Sequence, residues 1–411
     1  MSFKRILIFF LAALPAIYSN PKVELGIDCF FQEKYIDTLK GKRVGLITNH
    51  TGVDQKLNST IELFYKNQGK YELTSLFAPE HGIDGCAYAY KPLQDGKKHK
   101  EIPIHNLFGN TKRPTKEMLQ KIDIIVYDIQ DVGSRAYTYT TTLFYTMEEA
   151  ARFGKEVIVL DRPNPMTGII VDGPMLEENF RSFMGYINIP YCHGMTIGEL
   201  ALYFNKEYKV GCKLTVVPMR GWQREMTFRD TGLSWIPTSP QIPEDDTPLY
   251  YATTGILGEF SLVNIGVGYT LPFKLIGAPW IKADHFAQVL NAQKIEGVTF
   301  HPFHYRPYFG SFKGLDCHGV KIQITDPKKY KPLTVQYFII GILKSLYPQI
   351  VSEKLNNLRP IQKHNFCRAM GNDVMIKLLT NEKYVSWKLI DYQKTERETF
   401  LKKRTKYLLY N

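Results

Sequence analysis

A chain of 411 residues, 44% hydrophobic and 22% charged, is long enough for two packed domains, and its composition excludes disordered and collagen-like classes. The formal net charge of +12 at pH 7 favours acidic partners; Lys and Arg are scattered rather than striped and no nucleic-acid motif occurs, so nucleic acid is not an expected partner. Six widely spaced cysteines without a CxxC pair match neither a zinc site nor a disulfide framework, which leaves one disulfide open.

Lys4 and Arg5 precede the apolar run ILIFFLAALPAI and the small or polar Ser19 and Asn20. This pattern predicts a signal peptide over residues 1–19, too short to span a bilayer, and therefore an exported protein, periplasmic or secreted, with no stable membrane insertion after signal removal. Next come the runs RVGLIT, ELTSLFA, IDIIVYDI and EVIVLDR, rich in branched residues and almost continuously apolar, as parallel strands covered on both faces must be. LNSTIELFYKNQG and TTLFYTMEEAARFG, lying between them, carry helical spacing, the second stopping at Gly154. The alternation predicts an α/β fold: a Rossmann-like, doubly wound parallel sheet over residues 20–210. Beyond it, turn-rich β segments, GVKIQIT and the helical TVQYFIIGILKSLYP predict a smaller α+β domain over residues 211–411 that closes a cleft. The chain holds neither GxGxxG nor GxxxxGK[ST], so no nucleotide cofactor is expected, and no metal.

Open α/β sheets bind ligands beyond the carboxyl ends of their strands. Here those ends read ITNHTG, FAPEHG, YDIQDVGSRAYTYT and LDRPNP, all polar. Glu80 stands where an apolar strand gives way to such a crevice, so a desolvated carboxyl there suits a general acid; capping a helix or pairing with an Arg is the equal alternative. His81 would orient it or bind a hydroxyl. Asp128, Gln130, Asp131, Arg135, Tyr137 and Tyr139 crowd into one segment whose amides, carboxylates and rings suit a sugar, with Arg135 as a planar clamp for a carboxylate; an internal Asp–Arg pair fixing the loop is the alternative. Asp161, Arg162 and Asn164 would complete the wall or form a structural pair, and Asn49 would donate hydrogen bonds or make an Asx turn. His193 reaches the site from a helix start or is only part of the entry turn. Glu259 is the candidate partner carboxylate from the second domain, with Asp128 as its rival, because glycosidases commonly use two. Ser134 lacks the GxSxG setting of a serine nucleophile.

Taken together, GLITNHTGVD, FAPEHGIDG, DIIVYDIQDVGSRAYTYTTTL, VLDRPNP, HGMTIGELA, TSPQIP and PFKLIGAPW resemble the NamZ-like exo-β-N-acetylmuramidase family, from about Gly26 to beyond Gly319. The resemblance implies a Rossmann-like domain with a smaller partner, release of N-acetylmuramic acid (MurNAc) from non-reducing ends of MurNAc-GlcNAc fragments in cell-wall turnover, and Glu80 of the PEHG motif as the acid. Peptidoglycan-derived saccharides or muropeptides are then the partners; a noncatalytic muropeptide-binding protein is the alternative. Val267, Asp172 and Gln241 stand where Arg, Glu and Asn are common in the family, and these departures bear on which sugar or peptide stem is accepted.

Overall fold

The computed structural model describes residues 23–94 and 96–411. The expected signal peptide lies outside the described residues. Strands β1 (Arg43–Thr48), β2 (Glu72–Ala78), β3 (Lys98–His99), β4 (Ile102–Asn106), β5 (Ile124–Asp128), β6 (Glu156–Leu160) and β7 (Lys213–Val217) form one sheet in the order β3-β4-β2-β1-β5-β6-β7. All neighbours run parallel except β3 and β4, a short antiparallel edge. The apolar runs fall where they should: every residue of β5 is buried, whereas the edge strand β7 alternates. The chain winds outward from β1 through β2 to β4 and returns on the other side of β1 at β5, so the switch point lies between β1 and β5. The expected division at residue 210 falls just before β7, which pairs with β6, so this sheet runs on to Val217.

Strands β8 (Leu275–Ala278), β9 (Val298–Tyr305) and β10 (Cys317–Ile324) form a second, antiparallel sheet with β10 central. The helix Pro332–Leu346 is buried on nearly every side, so its apolar sequence serves the core rather than a surface. It starts on Asp172, whose carboxylate accepts from the backbone N–H groups of Leu333 (2.9 Å) and Thr334 (3.0 Å); this family departure is a helix cap. One apolar core runs from the large sheet (Ile125, Val157) through Phe204 to Leu333 and Phe366, fastening the halves. The last residues return as well: Tyr410 packs edge-on against Trp222 at 5.1 Å and donates to Asp161. The six cysteines are all unpaired, five buried and Cys86 exposed. Among the described residues no helix is long and apolar enough to cross a membrane.

Candidate active site

Strand β2 ends at Ala78, and a tight turn closes from Gly82 N–H to Pro79 C=O at 3.0 Å. The turn needs a positive φ at its third residue, which is His81 (φ 71°). A side chain in that region costs about 1–3 kcal/mol and persists only where its surroundings fix it. Ala87 supplies the fixing: its carbonyl takes the His81 Nδ1 hydrogen bond at 2.7 Å, and its N–H donates to the His81 carbonyl at 3.1 Å. The loop that follows is thereby folded back so that Tyr90 N–H reaches Glu80 Oε1 at 3.0 Å. Glu80 is buried, and its Oε2 accepts from the Thr138 hydroxyl at 2.7 Å. Thr138 opens the helix Thr138–Arg152, so the ends of β2 and of the loop after β5 meet at this carboxyl.

Glu259 comes from the other half, on the 3₁₀ turn Gly255–Phe260, which Phe260 pins by stacking on Phe366 at 3.9 Å. Burial raises its pKa above the usual glutamate range, against one hydrogen bond from the Tyr90 hydroxyl (3.1 Å to Oε1). Tyr90 therefore touches both carboxyl groups, one through its backbone and one through its phenol. Glu80, His81 and Glu259 line a cavity of about 370 Å³, with rings from Tyr88, Tyr90, Tyr137, Tyr251 and Phe273 and amides from Gln241 and Asn264. That volume is within the range of small-molecule sites, and ring faces beside polar groups suit a pyranose.

The structure brings Glu80, His81, Tyr137 and Glu259 of the expected site residues to this cavity and sets the others elsewhere. Asp128 is fully buried and accepts from Arg162 twice, Nε to Oδ1 at 2.6 Å and Nη2 to Oδ2 at 2.9 Å, with Thr60 as a third donor. This internal pair plugs the β1/β5 switch point, so Asp128 is replaced by Glu259 as the carboxylate that shares the cavity with Glu80. Arg135 donates to the carbonyls of Pro174 (2.9 Å), Ile189 (2.7 Å) and Met370 (2.6 Å), and burial lowers its pKa to about 10; its fork ties loops together instead of clamping a substrate carboxylate. Asn49 makes the Asx turn, accepting from Thr51 N–H at 2.9 Å and donating to the buried Tyr139 hydroxyl at 3.1 Å. Gln130 donates to the carbonyls of Asp131 and Pro163, and Asn164 to that of Met195. Asp131, pushed up to about 7 by burial, accepts from Gly133 N–H. Asp161, also pushed up to about 7 by burial, caps the helix Ile197–Glu207 through Gly198 N–H at 2.8 Å, an approach that a side chain at Gly198 would block. His193 is wholly buried, which lowers its pKa to about 3, and accepts from Met195 N–H.

Tyr88, Tyr90, Thr138, Ser239 and Tyr251 line the cavity without having been singled out. Thr138 and Ser239 lay inside motifs already visible, YTYT and TSPQIP; the Tyr88–Tyr90 loop carried no signal beyond its tyrosines. Two of the three family departures, Gln241 and Val267, are in the wall.

Residues 44–246 match the family described as exo-beta-N-acetylmuramidase NamZ, N-terminal, and residues 249–410 match its C-terminal counterpart. Over 392 residues, 95% of this chain and 92% of the relative, the sequence is 41% identical to the peptidoglycan beta-N-acetylmuramidase NamZ of Bacillus subtilis (strain 168). The chain belongs to the NamZ family. Crystal structures of two DUF1343 family proteins from Bacteroides fragilis NCTC 9343 share its α/β fold: one at TM-score 0.89 and 37% identity, the other at 0.73 and 28%, each match covering 95% of this chain and 99% of the other. The junction between the two NamZ parts, at residues 246–249, falls at the helix Thr247–Thr254, which leads directly into the turn carrying Glu259. Each NamZ part thus supplies one carboxyl group to the cavity.

Proposed function

We propose that this protein is an exo-acting glycoside hydrolase that releases MurNAc from the non-reducing ends of peptidoglycan-derived MurNAc-GlcNAc fragments, with Glu80 as general acid and Glu259 as the partner carboxylate. The observation that carries the roles is the placement of two carboxyl groups, one from each NamZ part, on a single ring-lined cavity. Membership of an exo-β-N-acetylmuramidase family supplies the reaction class. In the step proposed, Glu80 gives its proton to the bridging oxygen as the C1–O bond breaks, and GlcNAc leaves as the alcohol. Water adds to C1, and its proton passes to Glu259, whose burial makes it the stronger base. The Thr138 hydroxyl and Tyr90 N–H hold the acid in place from opposite oxygens. Export follows from the leader of Lys4, Arg5 and the apolar run behind them, and is checked by sequencing the amino terminus of the mature protein.

The direct experiment incubates the purified protein with MurNAc-GlcNAc and follows free MurNAc. Glu80→Gln preserves the side chain's shape but has no proton to give, so turnover should fall by about a hundredfold or more with thermal stability nearly unchanged. Binding without any product would replace the enzyme by a muropeptide-binding protein, and full turnover by Glu80→Gln would remove Glu80 from the acid's role.

A further inference from the structure

The positive charge of the chain is unevenly spread. Residues 348–411 hold thirteen Lys and Arg against six Asp and Glu, a net +7 of the chain's formal +12. Several of these cations are committed: Arg404 is buried, and Lys377, Lys388 and Lys403 pair with Asp373, Glu382 and Glu207. Lys383 is exposed and has no ion pair among the described residues; its ammonium lies 5.1 Å from the centre of the Tyr384 ring. Tyr384 is 69% exposed, and Trp387, in the helix Ser386–Asp391, is 67% exposed. Of the chain's four tryptophans, Trp222 is buried, Trp235 and Trp280 are half-buried and Trp387 is exposed. Phe338 of the buried helix Pro332–Leu346 meets the Trp387 ring at 5.4 Å and 86°, and the Ser386 hydroxyl donates to the Tyr337 carbonyl at 2.9 Å. The indole is thus braced from below while its surface stays open to water. A braced ring near a free ammonium suits an acidic saccharide, the apolar face of a pyranose on the ring and a carboxylate on the cation. None of these side chains lines the cavity of Glu80 and Glu259.

We propose that Lys383, Tyr384 and Trp387 form a second saccharide-binding surface, which holds the insoluble peptidoglycan network by its glycan strands while the cavity works on chain ends. The occupant follows from charge and shape. Peptide stems give the network carboxylates, complementary to the net +7 of residues 348–411, and its strands present pyranose faces that match a ring in size. A lipid surface calls instead for aliphatic side chains that enter hydrocarbon. Among the described residues from 381 to 393 the exposed large apolar side chains are Tyr384 and Trp387, whereas Val385 and Leu389 are buried. The choice of peptidoglycan rests on the muramidase reading; binding at this surface needs nothing from the chemistry of the cavity.

Co-sedimentation of the full chain with purified insoluble peptidoglycan tests it, in a Glu80→Gln background so that the matrix is not consumed. Trp387→Ala should raise the Kd about tenfold, and Tyr384→Ala, at a second exposed ring, about threefold. Trp387→Phe keeps a ring and should retain most of the binding. Lys383→Gln should weaken binding about threefold at low salt, an effect that high salt removes. Parent-like binding by both Trp387→Ala and Tyr384→Ala overturns the proposal, and so does binding of the parent to phosphatidylglycerol vesicles but not to peptidoglycan. With Glu80 restored, Trp387→Ala should turn over MurNAc-GlcNAc at the parent's rate while releasing MurNAc from the insoluble network several-fold more slowly. An equal loss on both substrates overturns the proposal, because it makes the indole a support of the fold or of the reaction. If the parent turns over neither substrate, the muramidase reading falls, and the sedimentation result still decides whether this surface binds peptidoglycan.

Discussion

Two strand ends of the large sheet hold buried carboxylates and use them in opposite ways. At the switch point between β1 and β5, where open α/β sheets ordinarily take their ligand, Asp128 and Arg162 neutralise each other, and Thr60 satisfies what remains. At the end of β2, Glu80 is held by a hydroxyl and one backbone N–H beside an open cavity. Charge density at a strand end therefore does not by itself mark a site; what distinguishes the two is whether a cation within the fold claims the carboxylate. Breaking the closed end should cost folding and not chemistry. Arg162→Met leaves the buried Asp128 with the Thr60 hydroxyl but without its cation, and the expected loss is about 3–5 kcal/mol of unfolding free energy in urea. Turnover per folded molecule should stay close to that of the parent protein, and a loss of turnover at full stability would show that the switch point takes part in the reaction after all.

The open end is sharpened by its second carboxyl group. Glu259→Gln removes the proposed base, and kcat should drop by about a hundredfold. The pH profile carries the more pointed information. A base must be ionised to accept a proton, and burial raises the pKa of Glu259, so the acid limb of kcat/KM should lie above the usual glutamate range. Activity is lost as pH falls through that raised value and is present above it. In Glu259→Gln this limb should vanish from the residual rate; its persistence unchanged would assign it to another group.

The same contrast explains what the sequence disclosed. Branched, continuously apolar runs fixed β1, β2, β5 and β6, because a strand covered on both faces has no other composition. Edge strand β7 alternates and so was placed beyond the expected boundary. Glu80 and Glu259 were both legible as candidates, the first from its position after a strand and the second from the need for a partner. Asp128, Asp161 and Arg162 looked equally functional, since residue type and strand-end position do not reveal which side chains meet each other. The Tyr88–Tyr90 loop was hidden for a different reason: its place depends on the His81–Ala87 bonds and on positive φ at Tyr90, which leave no pattern in a one-dimensional reading.

Arg135 supplies the finest test of the comparison, because it lies in the densest polar segment and yet does not line the cavity. Its guanidinium satisfies three carbonyls from separate stretches of chain, Pro174, Ile189 and Met370, the last belonging to the helix Pro360–Met370 of the second half. Arg135→Lys keeps the charge but cannot span three acceptors with a single ammonium on a flexible stem. One or two buried carbonyls then lose their donor, at a cost of about 1–3 kcal/mol in stability. A clamp on the lactyl group would predict something else, namely a change in preference between MurNAc and GlcNAc glycosides. The cross-link predicts that this preference is untouched while the melting temperature drops, and measuring both on the same preparation decides between them.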